Sequence, residues 1–315
     1  MTAGITRRAF IERAALGAAL AAATRRLSAT GGMFVSLNGA LTPGVSGADK
    51  IRLAAATGYA GVDWDLGPAK SAGVETTRAL LAELKIQPTI TNFPMPRPLP
   101  FDGEQQAFQQ ALTELADDAA FTAAIGCRKM MVVLPPSTTR TRQDQRALAR
   151  DRMAAAAEVL QRSNIRLGLE FLGPLYMRSG RPGGPPVYPF IWNLPDALAL
   201  ANDCGSNVGV ILDVWHWYHS RSTIADILAA DKSRIVHIHL SDAKDTPPAD
   251  VRDNQRLMPG EGIIDLVGFF RALKKIGYED GVSPEPLGRV TGMPPEEAAR
   301  LGLQTTLAVM KRADV

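Results

Sequence analysis

The sequence predicts a single α/β domain, a (β/α)8 barrel of the TIM class, on three observations. Short apolar runs of strand length alternate eight times with longer amphipathic stretches over about 280 of the 315 residues, and such a barrel needs about 250. The turn after the first run, Leu37-Asn38-Gly39-Ala40, lacks the Gly-rich phosphate loop that a doubly wound open sheet carries there. No internal repeat or linker marks a second domain, and 46% hydrophobic with 21% charged residues suits a substantial core.

The elements follow in order. Residues 33–38 form the first strand, followed by a helix over 48–57 that stops at Gly58. The second strand covers 61–66 and its helix 74–85. Then come a strand at 87–92, a Pro-rich loop and a long helix from about 103 to 125. Residues 128–134 are the fourth strand and 142–162 its charged helix. The fifth strand, 165–171, leads into a Gly- and Pro-rich loop over 173–193, before a helix at 195–201. Residues 207–213 and 222–230 are the sixth strand and helix. Val236-His237-Ile238-His239-Leu240-Ser241-Asp242, entered through Arg234-Ile235, is the seventh strand, and residues 281–285 are the eighth. Helices at about 264–276 and 295–311 flank it.

Residues 1–30 read as an address ahead of a barrel domain at 31–315. Thr6-Arg7-Arg8-Ala9-Phe10-Ile11 precedes an uncharged Ala-rich run, then Arg25-Arg26 and the small residues Ser28-Ala29. The stretch resembles a twin-arginine signal peptide, with Glu12 where that motif usually has a basic residue, and implies export to the periplasm. An ordinary amphipathic helix in a cytoplasmic protein is the alternative. The apolar run is too short for a stable membrane span. These residues hold Arg7, Arg8, Arg13, Arg25 and Arg26 against Glu12, a charge of +4, while the whole chain carries +3. The body is therefore nearly neutral, which argues against nucleic acid as a partner. Cys127 and Cys204 have no ligand-like spacing and are expected as buried free thiols, with one bridge in an oxidising compartment as the alternative.

Barrel chemistry sits where strands end. Alternation turns Leu167, Leu169 and Phe171 toward the helices and Gly168 and Glu170 toward the barrel axis. The same rule sends Val236, Ile238 and Leu240 outward and His237 and His239 inward, with His239 nearer the mouth. Ser283, Glu285 and Asp213 also face inward. Glu170, Asp213, His239 and Glu285 thus form a mixed oxygen and nitrogen ligand set for one divalent ion, with Mn²⁺, Co²⁺, Mg²⁺ and Zn²⁺ all compatible. His237 is expected as a structural histidine, and Asp242 has no assigned role. Trp215 and Trp217 are each expected as packing residues, alternatively as part of an aromatic wall with His216 and His219.

These residues carry a family resemblance. Leu169-Glu170-Phe171-Leu172-Gly173, Leu212-Asp213-Val214-Trp215-His216, His237-Ile238-His239-Leu240-Ser241-Asp242, Pro259-Gly260-Glu261-Gly262 and Pro284-Glu285-Pro286 resemble the xylose isomerase-like TIM-barrel family over about residues 32–312. Its members include sugar phosphate isomerases and epimerases, ketose 3-epimerases, inosose dehydratase and hydroxypyruvate isomerase. The resemblance implies metal ligation by Glu170, Asp213, His239 and Glu285, with Glu170 and Glu285 also acting as catalytic acid/base groups. It places substrate-binding roles on His216 and Arg256, although residues 245–255 make the loop before Arg256 longer than usual. The implied reaction is isomerisation or epimerisation of a sugar or keto-sugar through proton abstraction beside a carbonyl, the resulting enediolate being stabilised by the metal.

A lyase or dehydratase acting on a 3-oxo-sugar, a 3-oxo-glycoside or an inosose shares that first step. A non-catalytic periplasmic sugar-binding barrel is the alternative outside enzymes. Abasic-site endonucleases with a three-zinc cluster use more histidines than the four present here. The expected partner is a small carbohydrate, and an oligomer is compatible with the fold. The loop at 173–193, with Arg178, Arg181, Tyr188 and Trp192, is expected to act as a lid.

Overall fold

Ten strands, numbered along the chain, organise the computed structural model, which describes residues 32–179 and 186–315. They are β1 (Phe34–Leu37), β2 (Gly61–Asp63), β3 (Gln87–Asn92), β4 (Lys129–Val133), β5 (Ser137–Thr138), β6 (Arg166–Glu170), β7 (Tyr188–Pro189), β8 (Val208–Asp213), β9 (Ile235–Leu240) and β10 (Gly281–Pro284). Eight of them close a parallel barrel in the order β1-β10-β9-β8-β6-β4-β3-β2, so the predicted (β/α)8 barrel is present as a single α/β domain. The export-signal reading of residues 1–30, and Arg181 in the loop, lie outside the described residues.

Helices cover the outside of the sheet, and their ends follow from local chemistry. Thr223 and Asp226 form a reciprocal capping box at the start of Ile224–Ala229, and the Asn193 side chain accepts from Asp196 N to start Leu194–Cys204. Helix Leu266–Ile276 buries Leu266, Phe269, Phe270 and Leu273 at helical spacing and ends at Gly277 with φ 78°. Strands β8 and β9 are buried along their whole length, as parallel strands covered by helices and filled from within must be. Cys127 and Cys204 are buried free thiols. Among the described residues, no helix is long and apolar enough to cross a membrane.

Three details depart from the predicted pattern. The second strand stops at Asp63, and a short helix, Leu66–Ala72, begins three residues later. A further helix, Val214–His219, starts directly after β8, with Asp213 as its cap. Val236 is the third. Val210 pairs with Ile235 and Ile211 with His237, so Val236 is the extra residue of a β-bulge. Simple alternation sends it toward the helices, yet it packs with Ile90 and Ile211 in a cluster apart from the main core. That cluster lies inside the barrel. A Cβ added to Gly168, on the same face of β6 as Glu170, would come within 2.3 Å of Ile211 and 3.2 Å of Val236. Glycine at 168 is what lets this bulge fit.

Pairing anchors the described residues of the loop expected as a lid. It contains a short helix, Leu175–Arg178, and strand β7, which pairs antiparallel with β5 in the loop after β4. Two loops of the barrel mouth are thereby tied together.

Candidate metal centre

Glu170 ends β6, Asp213 ends β8, His239 is the penultimate residue of β9, and Glu285 follows β10 directly. The ladder aligns them: Asp213 pairs with His239, His239 pairs with Ser283, and Glu285 N donates to Leu240 O at 2.7 Å. His239 Nδ1 lies 3.0 Å from Glu170 Oε1 and 3.5 Å from Glu285 Oε2. One donor atom from each of Glu170, Asp213, His239 and Glu285 falls within 4.8 Å of all the others. Atoms bound to a common ion at about 2.0–2.2 Å are at most about 4.4 Å apart. Small side-chain shifts therefore let these four hold one divalent ion, and the mixed donor set suits one.

The charges point the same way. Burial pushes the Glu285 carboxyl up to about 8 against the opposing pull of His239 and Arg256. Burial also works against the charged form of His239, but the Glu285 and Glu170 carboxylates override it and raise that imidazole to about 10. Three carboxylates gathered out of water retain protons unless cations offset them.

Arg256 supplies one such cation. Its Nη1 donates to Asp213 Oδ2 at 2.7 Å and to Glu285 Oε2 at 3.1 Å, its Nε donates to Asp253 Oδ1 at 2.8 Å, and its Nη2 lies 3.2 Å from His216 Nε2. The guanidinium stacks 4.7 Å above the Trp215 ring. Burial opposes its charge, yet Asp213, Glu285 and Asp253 keep it protonated. The other oxygen of Asp213 accepts from Trp215 N at 2.8 Å and His216 N at 3.1 Å. Burial raises the Asp213 carboxyl, but Arg256, His216 and His239 outweigh that and hold it below the usual carboxylate range. His216 is pushed down chiefly by burial, which favours its neutral form. All six residues singled out in the sequence thus meet in one place.

The model of the xylose isomerase-like TIM barrel family matches residues 51–309. The chain belongs to that family. It is 35% identical over 107 residues to the inosose isomerase of Bacillus licheniformis, a match covering 34% of this chain and 38% of that protein. Over 90% of its length it superposes, at a TM-score of 0.80 and 27% identity, on the whole of a xylose isomerase domain protein from Alicyclobacillus acidocaldarius. A zinc-bound IolI protein superposes at a TM-score of 0.75 with 22% identity, over 89% of this chain and 99% of the other.

The barrel of this chain carries a second polar layer next to the four ligand candidates. Asp63 Oδ1 accepts from Ser36 Oγ at 2.8 Å and Ser283 Oγ at 2.9 Å, and Asp63 Oδ2 accepts from Asn38 Nδ2 at 3.0 Å. His237 Nε2 sits 2.7 Å from the same Ser283 hydroxyl. Burial raises the Asp63 carboxyl despite His239 and these hydrogen bonds. Asp63, His237 and His239 form a second group able to hold a metal. Asp63 belongs to the second strand, apart from the fifth to eighth strands that carry the four expected ligands. The signal was available: Asp63 ends β2 on the inward parity of Gly61.

Other side chains resolve as structure. Asp242 accepts from four backbone amides, those of Ala243, Gly260, Gly262 and Ile264, and so folds the Pro259-Gly260-Glu261-Gly262 turn. Its own backbone exchanges two hydrogen bonds of 2.9 Å with Leu257, next to Arg256. Trp217 packs edge-on against Phe269 at 5.5 Å, as a core residue. Arg178 stacks on Trp192 at 3.7 Å.

Proposed function

We propose that the protein is a divalent-metal-dependent isomerase or epimerase of a sugar or keto-sugar, working by proton abstraction from the carbon beside a carbonyl. One observation carries this reading: Glu170 and Glu285 flank His239 at 3.0 and 3.5 Å within a single four-residue ligand cluster. Strands β8 and β9 separate β6 from β10, so the two carboxylates reach the centre from different sides. A divalent ion held there supplies Lewis-acid stabilisation of the negative charge on the substrate oxygens, worth several kcal/mol.

The chain's own residues do the rest. Glu170 accepts the proton at one face of the substrate carbon, and Glu285 returns one at the other. Positioned acid/base groups of this kind contribute about 10²–10⁴-fold. Arg256, fixed by Asp213, Asp253 and Trp215, presents a rigid cation to the substrate oxygens, and neutral His216 holds its far edge. The inosose isomerase name of the curated relatives supports a keto-sugar-like substrate.

The test is metal analysis of purified protein, followed by hydrogen–deuterium exchange at C–H positions across a panel of keto-sugars and ketoses. Exchange that disappears in Glu170→Gln, with the fold intact, is the expected result. Absence of both metal and exchange would favour a sugar-binding barrel instead.

A further inference from the structure

Beside the metal centre, at the ends of β3 and β4, lies a cavity of about 580 Å³. It is a neighbour of Glu170 through the sheet itself. Val133 pairs with Glu170 across the β4–β6 ladder, Leu134 N donates to Glu170 O at 2.8 Å, and Leu172 follows Glu170 by two residues. All three line the cavity. Met131, two residues below Val133, packs against the Ile90, Ile211 and Val236 cluster inside the barrel. The cavity therefore shares the barrel mouth with the ligand cluster, although none of the four ligand candidates lines it.

Its walls are of another kind. Phe93 and Met95 come from the loop after β3, Met131 and Val133 from β4, Leu172 from the loop after β6, and Val187 from the segment that β7 ties to β5. Part of the lining is polar, with Asn92, Arg97, Ser137, Thr139 and the half-exposed Arg140–Asp102 pair at 2.7 Å. Pockets that hold drug-sized ligands are about 300–1,000 Å³, lined mainly by apolar side chains. This cavity falls in that range. A free monosaccharide, polar on every face, would leave the apolar part of these walls without a matching surface. Phe93 with Met95 and Met131 instead offers the ring edges and thioethers that suit a flat aromatic group.

We infer that the substrate is a glycoside whose sugar lies at the metal centre and whose aromatic aglycone fills the cavity at the ends of β3 and β4. This rests on the proposed sugar chemistry and narrows its substrate class. The aglycone would be a recognition group, bound by Phe93, Met95, Met131, Val133 and Leu172 and untouched by the proton transfer.

The experiment measures affinity and turnover separately. Titration calorimetry on metal-loaded protein compares phenyl, octyl and methyl β-glucosides, which lack the carbonyl and do not react. Burial of the ring gives phenyl a preference over methyl on the order of ten- to a hundredfold. That ratio falls toward one in Leu172→Ser and in the nearly isosteric Val133→Thr. Equal phenyl and methyl affinities, or no measurable binding of either, overturn the subsite. Octyl binding tighter than phenyl overturns the aromatic assignment. Carbon–deuterium exchange on keto-sugars is scored in parallel. Exchange with a ratio of one defeats the subsite alone, whereas a high ratio without exchange defeats the isomerase reading and leaves the subsite standing.

Discussion

At the ends of β6, β8, β9 and β10 the barrel mouth presents Glu170, Asp213, His239 and Glu285, whereas at the ends of β3 and β4 the same rim presents Asn92, Met131 and Val133. The first half is held by strands and by its own hydrogen bonds. Asp213 has partners on both oxygens, and Arg256 is gripped by four groups. The second half is walled largely by loops, from the Pro-rich stretch after β3 to the paired β5 and β7. Chemistry demands sub-ångström placement and is built on rigid elements, while recognition of a bulky apolar group tolerates loop-borne walls. In the proposed function, one face of the molecule sets the reaction and the other sets what is brought to it.

The contrast breaks most sharply at Glu170. Glu170→Gln keeps the side-chain volume and is expected to lower turnover by about 10²–10⁴-fold, with an unchanged melting temperature. Steady-state kinetics beside a thermal melt check this, and an activity within a few-fold of wild type would remove Glu170 as the base. Asp242→Ala comes next. It strips the acceptor from four backbone amides and should cost about 3 kcal/mol in urea unfolding while loosening the loop that delivers Arg256. Unaltered stability would mean that the turn holds without it.

The pH dependence of metal affinity is a third check. Without an ion, burial raises Glu285 and the neighbouring carboxylates raise His239, so this pair holds at least one proton at neutral pH that an ion must displace. Affinity for Mn²⁺ or Zn²⁺ should therefore rise with pH, about tenfold per unit for each proton released between about pH 6 and 8. Calorimetry in buffers of differing ionisation enthalpy counts those protons, and a flat profile would contradict the cluster's electrostatics. The smallest effect belongs to the apolar interior: Ile211→Val should cost about 1 kcal/mol and leave metal affinity unchanged, although Ile211 lies two residues below Asp213.

How much of this was legible in the sequence follows the same division. Strand alternation placed Glu170, Asp213, His239 and Glu285, because inward parity at a strand end is a local property. Arg256 was reachable only through the family resemblance, since its place depends on a loop that Asp242 folds from a distance. Val236 was misplaced because a bulge adds one residue and breaks the period of two that alternation assumes. Asp63 had the right parity but lay on a strand of only three residues, followed by an unforeseen helix. The β3–β4 cavity had no signal at all. Its walls come from β3 and its following loop, β4, and the loops near residues 134–140, 172 and 187, and no local pattern records that they meet.

The measurement that bears most directly on the centre is the divalent-metal content of the purified protein set beside that of His239→Ala. One equivalent per chain in the wild type, falling below about a tenth in the variant, is the result expected if four strand ends share one ion. Equal metal content in the two proteins, or none in either, would contradict it.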